Sequence, residues 1–156
     1  MSNADRRWVT DWGMAPLRIV VGLVFLLHGG QKLFVFGLSG VTDMLQKLGF
    51  IAPTAMAALL IFAELAGGAA VLLGVFTRVA GIGLAIEMGI AIYVARLAGG
   101  FFTPYGYEFE LTLLGACLTI AATGPGPVSI DRLLSRDALR HNEPRRDERE
   151  GAIKSL

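Results

Sequence analysis

The chain has 156 residues, enough for one domain, and is 54% hydrophobic against 17% charged, with a mean hydropathy of +0.59. A small water-soluble globule needs a charged skin, so this balance excludes an ordinary soluble domain and points to a chain held in lipid. The formal net charge is only +1, and most arginines crowd at the two ends, which leaves nucleic acid no basic surface to bind.

Residues 1–16 read as a cytoplasmic or interfacial lead-in with Arg6, Arg7, Trp8 and Trp12. Four apolar segments follow, over about 17–36, 55–76, 79–97 and 107–123. Each falls within the roughly 17–25 residues that a helix needs to cross the hydrocarbon. Helices are expected, because an open strand leaves backbone polar groups unpaired in lipid. The breaks contain turn formers: "GLSG" and Pro53 before the second segment, "GGFFTPYG" before the fourth and "GPGP" after it. Between the first two, "VTDMLQKLGF" places Val41, Met44, Leu45 and Leu48 at helical spacing, the pattern of a short helix lying on the membrane surface. Residues 135–156 mix both charge signs with little apolar periodicity, as expected of a disordered cytoplasmic tail.

The expected fold is therefore all-α, an integral membrane four-helix bundle over residues 17–134. Charge sets its direction. Arg6, Arg7, Arg18, Arg78, Arg132, Arg136 and Arg140 fall on one side and only Lys47 and Arg96 on the other, which puts both termini in the cytoplasm. Arg18, close to the inner interface, is expected to snorkel there. Cys117 is the lone cysteine, so no intrachain disulfide forms, and it reads as a packing residue. No CxxC pair, haem-attachment motif or nucleotide fingerprint occurs, so no haem, flavin or metal is expected.

Every segment carries an ionisable group: His28 and Lys32, then Glu64, then Glu87, then Glu110. Counting ~1.5 Å per residue from the inner ends places all five between roughly 13 and 23 Å deep, one shared layer. A charge near a helix centre costs about 2.5–3.5 kcal/mol on insertion scales, so these groups should turn inward and meet. His28 and Lys32 stand four residues apart, on one helix face. Gly29, Gly30, Gly67, Gly68, Gly81 and Gly89 are the expected packing positions, small enough for helices to approach closely. All five ionisable residues are candidates for ligand binding or proton exchange around a cavity, Glu110 near its mouth; a catalytic residue is not identifiable.

"LRIVVGLVFLLHGGQKLF", "AELAGGAAVLLGVFTR" and "GPGPVSIDRLL" resemble, in order and spacing, the motifs of the DoxX family of small four-helix membrane proteins, over about residues 17–134. The resemblance implies a multi-pass protein of the bacterial plasma membrane. Family members often carry an oxidoreductase label, and one is the small subunit of a thiosulfate:quinone oxidoreductase. On the family pattern "HGGQK" places His28 and Lys32, and "AELAGG" places Glu64.

Three functions fit these residues. The first is a membrane subunit of a quinone-linked redox system, with a quinone or similar lipophile among the helices and electrons supplied by a soluble or membrane partner protein. The others are a non-catalytic assembly subunit, with the buried charges as helix glue, and a transporter of small solutes or protons. A homodimer would ease the objection that four helices are few for alternating access.

Overall fold

The computed structural model describes residues 3–102, 104–126 and 128–132, with residues 3–11 as backbone alone. The described residues contain helices and no strand. Helix α1 spans Asn3–Gln31 and continues through a π-helical turn, Lys32–Phe36. Helix α2 is Gly37–Lys47, α3 is Pro53–Leu73 and α4 is Thr77–Ala91. A second π-turn, Ile92–Arg96, and a 3₁₀ turn, Leu97–Gly99, extend α4, and α5 is Glu108–Thr123.

The boundaries have local causes. Pro53 opens α3 at a position whose N–H has no helical partner in any case. Gly74, at φ +73°, closes it in the left-handed conformation, its N–H returning to Ala70 O at 2.9 Å. Gly37, at φ +69° and ψ 167°, turns the chain out of the first π-turn into α2. Helix α1 starts well before the expected position 17, because the polar opening "NADRRWVTDWG" continues the same helix.

Among the described residues three stretches are long and apolar enough to cross a membrane: Trp12–Lys47, Pro53–Leu73 and Thr77–Gly99. The fourth expected segment becomes α5, at 16 residues shorter than any of these three stretches. The expected tail, from 135 on, lies outside the described residues.

Helix α1 packs on α3, α3 on α4, α4 on α5, and α5 returns to α1. Phe25, Val71, Leu84, Met88, Leu113, Cys117 and Ile120 fill the centre. A second cluster, Val41 and Leu45 against Ala57 and Ile61, seats α2 on α3. The outward faces invert the soluble pattern: Leu27, Phe34, Phe62, Val79 and Ile86 are exposed, while Arg18 and Glu64 are buried. Apolar outside and polar inside is the arrangement that a lipid solvent selects.

Glycines set the closest approaches. A Cβ on Gly22 would stand 2.8 Å from Gly68 O, and one on Gly68 2.9 Å from Leu26 N, so α1 and α3 touch backbone to backbone. Gly29 packs on Leu65 and Glu64, Gly67 on Leu84 and Gly81 on the Cys117 carbonyl. Gly30 and Gly89, expected at packing contacts, are not at close ones: a Cβ there would meet nothing within 4 Å. Gly68→Val is accordingly expected to destabilise the protein by about 1–3 kcal/mol, since the obstruction is backbone that must move. Gly30→Ala should stay within ~0.5 kcal/mol. Thermal unfolding in detergent compares the two.

Candidate functional site

Glu64 is the deepest charge among the described residues, 2% exposed at the middle of α3. The stretch "IFAELAGG" gives it an apolar flank and a glycine flank, so its carboxyl cannot reach either membrane surface. Its partner comes from the next helix face. Lys32 Nζ donates to Glu64 Oε1 at 2.5 Å, across the junction between α1 and the first π-turn. The Lys32 side chain keeps 20% exposure, whereas that of Glu64 keeps 3%. The ammonium thus stands between the buried carboxyl and the outside.

Glu87 of α4 completes the group. Its carboxyl lies near both Glu64 and Lys32, close enough to interact electrostatically with each. Each carboxyl retains a buried oxygen, Oε2, with no donor among the described residues. Three helices therefore bring two carboxyls and one ammonium together within the apolar bundle.

The other two candidates go elsewhere. The His28 ring faces Phe109 of α5, with centroids 5.8 Å apart and planes tilted by 33°. Glu110 accepts from Arg96 Nε at 2.9 Å, and Arg96 Nη1 donates to Pro104 O at 3.3 Å. This second pair ties the end of the α4 extension to the start of α5. The ion pair of Glu110 is with Arg96, apart from the Lys32–Glu64 pair.

A further polar cluster was not foreseen. Arg18 is 3% exposed and does not snorkel to an interface. Its guanidinium donates to Val71 O at 3.0 Å, Leu72 O at 3.2 Å, Val128 O at 2.9 Å and Pro125 O. These carbonyls end α3 and follow α5, so one side chain binds three parts of the chain. Asp131 sits beside it: Oδ1 accepts from Phe76 N at 3.1 Å, and Oδ2 from Thr77 N and Thr77 Oγ1, both at 3.4 Å. The carboxylate caps the free N–H groups at the start of α4. Gly74 has no room for a side chain, because a Cβ there would collide with the Arg18 guanidinium and Ser129. The sequence signal was present: an arginine amid "LRIVVG" and a turn, "GPGPVS", rich in carbonyls and poor in N–H groups.

Exposed apolar helix faces around buried, paired charges define an integral membrane protein. The DoxX family model matches residues 13–102, and the chain belongs to that family. It is 35% identical over 133 residues to "Uncharacterized membrane protein Rv3486" of Mycobacterium tuberculosis, covering 78% of this chain and 81% of that one. It is 32% identical to "Inner membrane protein YqjF" of Escherichia coli, over 81% and 95% of the two chains. It is 30% identical to a Bacillus subtilis protein named "Putative oxidoreductase CatD", over 76% and 84%. No solved structure matches the chain.

Proposed function

We propose that this protein is a membrane subunit of a quinone-linked redox system, in which Lys32, Glu64 and Glu87 hold the polar head of a lipophilic small molecule. The observation that carries the reading is the gathering of two carboxyls and one ammonium from three helices. One oxygen of each carboxyl is left without a donor. Intramembrane ionisable groups are expensive and mark sites of function. A quinone carbonyl accepts a hydrogen bond from the Lys32 ammonium, which has three donors and gives one to Glu64. Reduction of the quinone takes up two electrons and two protons. The carboxyl pair can hold and pass a proton, while the electrons come from a partner protein. The word oxidoreductase in the name of the Bacillus subtilis relative supports the same reading.

In this reading the protein is a multi-pass protein of the bacterial inner membrane with both termini in the cytoplasm, the side favoured by its arginines. The α5 helix is the fourth crossing. Its 16 residues cover ~24 Å, short of the ~30 Å hydrocarbon. The aromatic stretch before it, with Phe101, Phe102 and Tyr105 exposed, sits at the interface and covers the shortfall.

Native mass spectrometry of protein released from its own membranes tests the reading. Wild type is expected to carry a bound quinone, and the charge-neutral double variant Lys32→Met/Glu64→Gln is expected to lose it. A bare wild-type protein, or equal retention by both, would contradict it.

A further inference from the structure

Helix α2 rests on α3 through Val41 and Leu45 and is separated from the rest of its surroundings by two clefts. The first, about 450 Å³, is walled by Lys32, Val35 and Phe36 of the π-turn and by Gly40, Val41 and Met44 of α2. The second, about 380 Å³, lies between Met44, Lys47 and Leu48 on one side and Ala95 and Arg96 on the other. Met44 borders both. Each takes one wall from a π-helical turn, a widened form of the helix that recurs at functional sites.

The first cleft touches the buried charges through one residue. Lys32 is its only ionisable wall, and the same ammonium bonds Glu64. Every other wall residue is apolar or glycine. A groove with one cation at its inner end and apolar sides matches an amphiphile, polar at the head and hydrocarbon in the tail. Its volume falls within the roughly 300–1,000 Å³ of ligand pockets.

We propose that this cleft is the groove by which an amphiphile reaches the Lys32–Glu64–Glu87 group, and that it holds the ligand's alkyl or isoprenoid tail. The inference rests on the reading of those residues as a head-group site and adds the class of ligand, one whose tail contributes to binding. A tail lying against Val35, Phe36, Val41 and Met44 meets apolar side chains alone, so the ligand is taken from within the membrane and not from water. Helix α2 forms one wall of the groove, with Gly37 at its start and Gly49 beyond its end, both at positive φ.

Gly40 makes the groove testable without touching a charged residue. It lies inside α2, and a Cβ there would meet Phe36 Cβ at 3.4 Å, an ordinary contact. Gly40→Leu therefore fills the cleft, Gly40→Ala leaves most of it open, and Gly83→Leu is a control on α4 where nothing lies within 4 Å. Dicyclohexylcarbodiimide, a lipid-soluble reagent, adds the oxygen of a protonated carboxyl to its central carbon and takes the proton on nitrogen. In the full-length protein in vesicles, mass spectrometry should find Glu64 or Glu87 modified. The rate should fall at least tenfold in Gly40→Leu and hold within twofold in Gly40→Ala and Gly83→Leu. Unmodified carboxyls in wild type, or equal rates in all four proteins, would overturn the groove. The second readout is affinity for decyl-benzoquinone and for its tail-less parent. Gly40→Leu should weaken the first at least tenfold and spare the second. Equal effects on both, or none, remove the groove and leave the head-group site standing. A wild type that binds neither quinone removes the head-group reading, and the carbodiimide rates then decide the groove. Unfolding temperatures of all four proteins, expected within a few degrees of one another, show that the variants are folded.

Discussion

Lys32→Met is expected to destabilise the protein by about 3 kcal/mol, the lower end of the 3–5 kcal/mol typical of breaking a buried ion pair. The loss is not the worth of the pair. It arises because Glu64, 2% exposed, is left as a buried carboxyl without its ammonium and with Glu87 still beside it. The 20% exposure of Lys32 moderates the effect, since water or a lipid head group can approach the vacated side. Glu64→Gln alone strands the lysine less severely, because a longer flexible stem can turn outward. The double variant Lys32→Met/Glu64→Gln should recover at least half of the summed losses. A double-mutant cycle on unfolding in detergent measures the coupling. Simple additivity would mean that the two side chains do not depend on each other.

Arg18 should be still less replaceable. Arg18→Met removes four donations to Val71, Leu72, Pro125 and Val128 carbonyls, which lie where the protein closes over them. Hydrogen bonds from a charged donor contribute about 1.5–3 kcal/mol each, and the four share one side chain, so the expected loss is about 4 kcal/mol, well below their sum. Arg18→Lys should recover less than half of that, because one ammonium cannot span carbonyls that the planar guanidinium reaches in several directions. Thermal unfolding of the two variants tests this, and a lysine variant as stable as wild type would show that charge alone suffices. Proteolysis adds a localised check: the segment after α5 should become the first cleavage site in Arg18→Met.

Helix α3 shows what could be read directly from the residues. Pro53 at its start and Gly74 after its end are chemical punctuation, and the 21 residues between them match the thickness of a bilayer. That every apolar segment carries an ionisable group was equally legible, because it needs only the order of residues. Direction around the helix was not. Glu110 pairs with Arg96, and His28, four residues before Lys32, turns to Phe109. Which face meets which neighbour depends on how the helices cross, and the glycines at 22, 68 and 81 set that only once the partner backbones are in place. The π-turns were invisible for a related reason. They are a response of the helix to packing, with no residue signature of their own. Arg18 was legible as an anomaly, a charge inside apolar sequence, but its acceptors lie more than fifty residues away and are backbone carbonyls that any residue could supply.

The central claim is that Lys32, Glu64 and Glu87 bind the head of a lipophile within the membrane. Equilibrium binding of decyl-benzoquinone to full-length protein in lipid nanodiscs tests it most directly, with Lys32→Met/Glu64→Gln as the comparison because its charges are removed in balance. Wild type should bind saturably, and the double variant should bind at least tenfold more weakly while still unfolding cooperatively well above the assay temperature. Equal affinity in the two proteins, or quinone uptake that rises only with the amount of lipid, would contradict the claim.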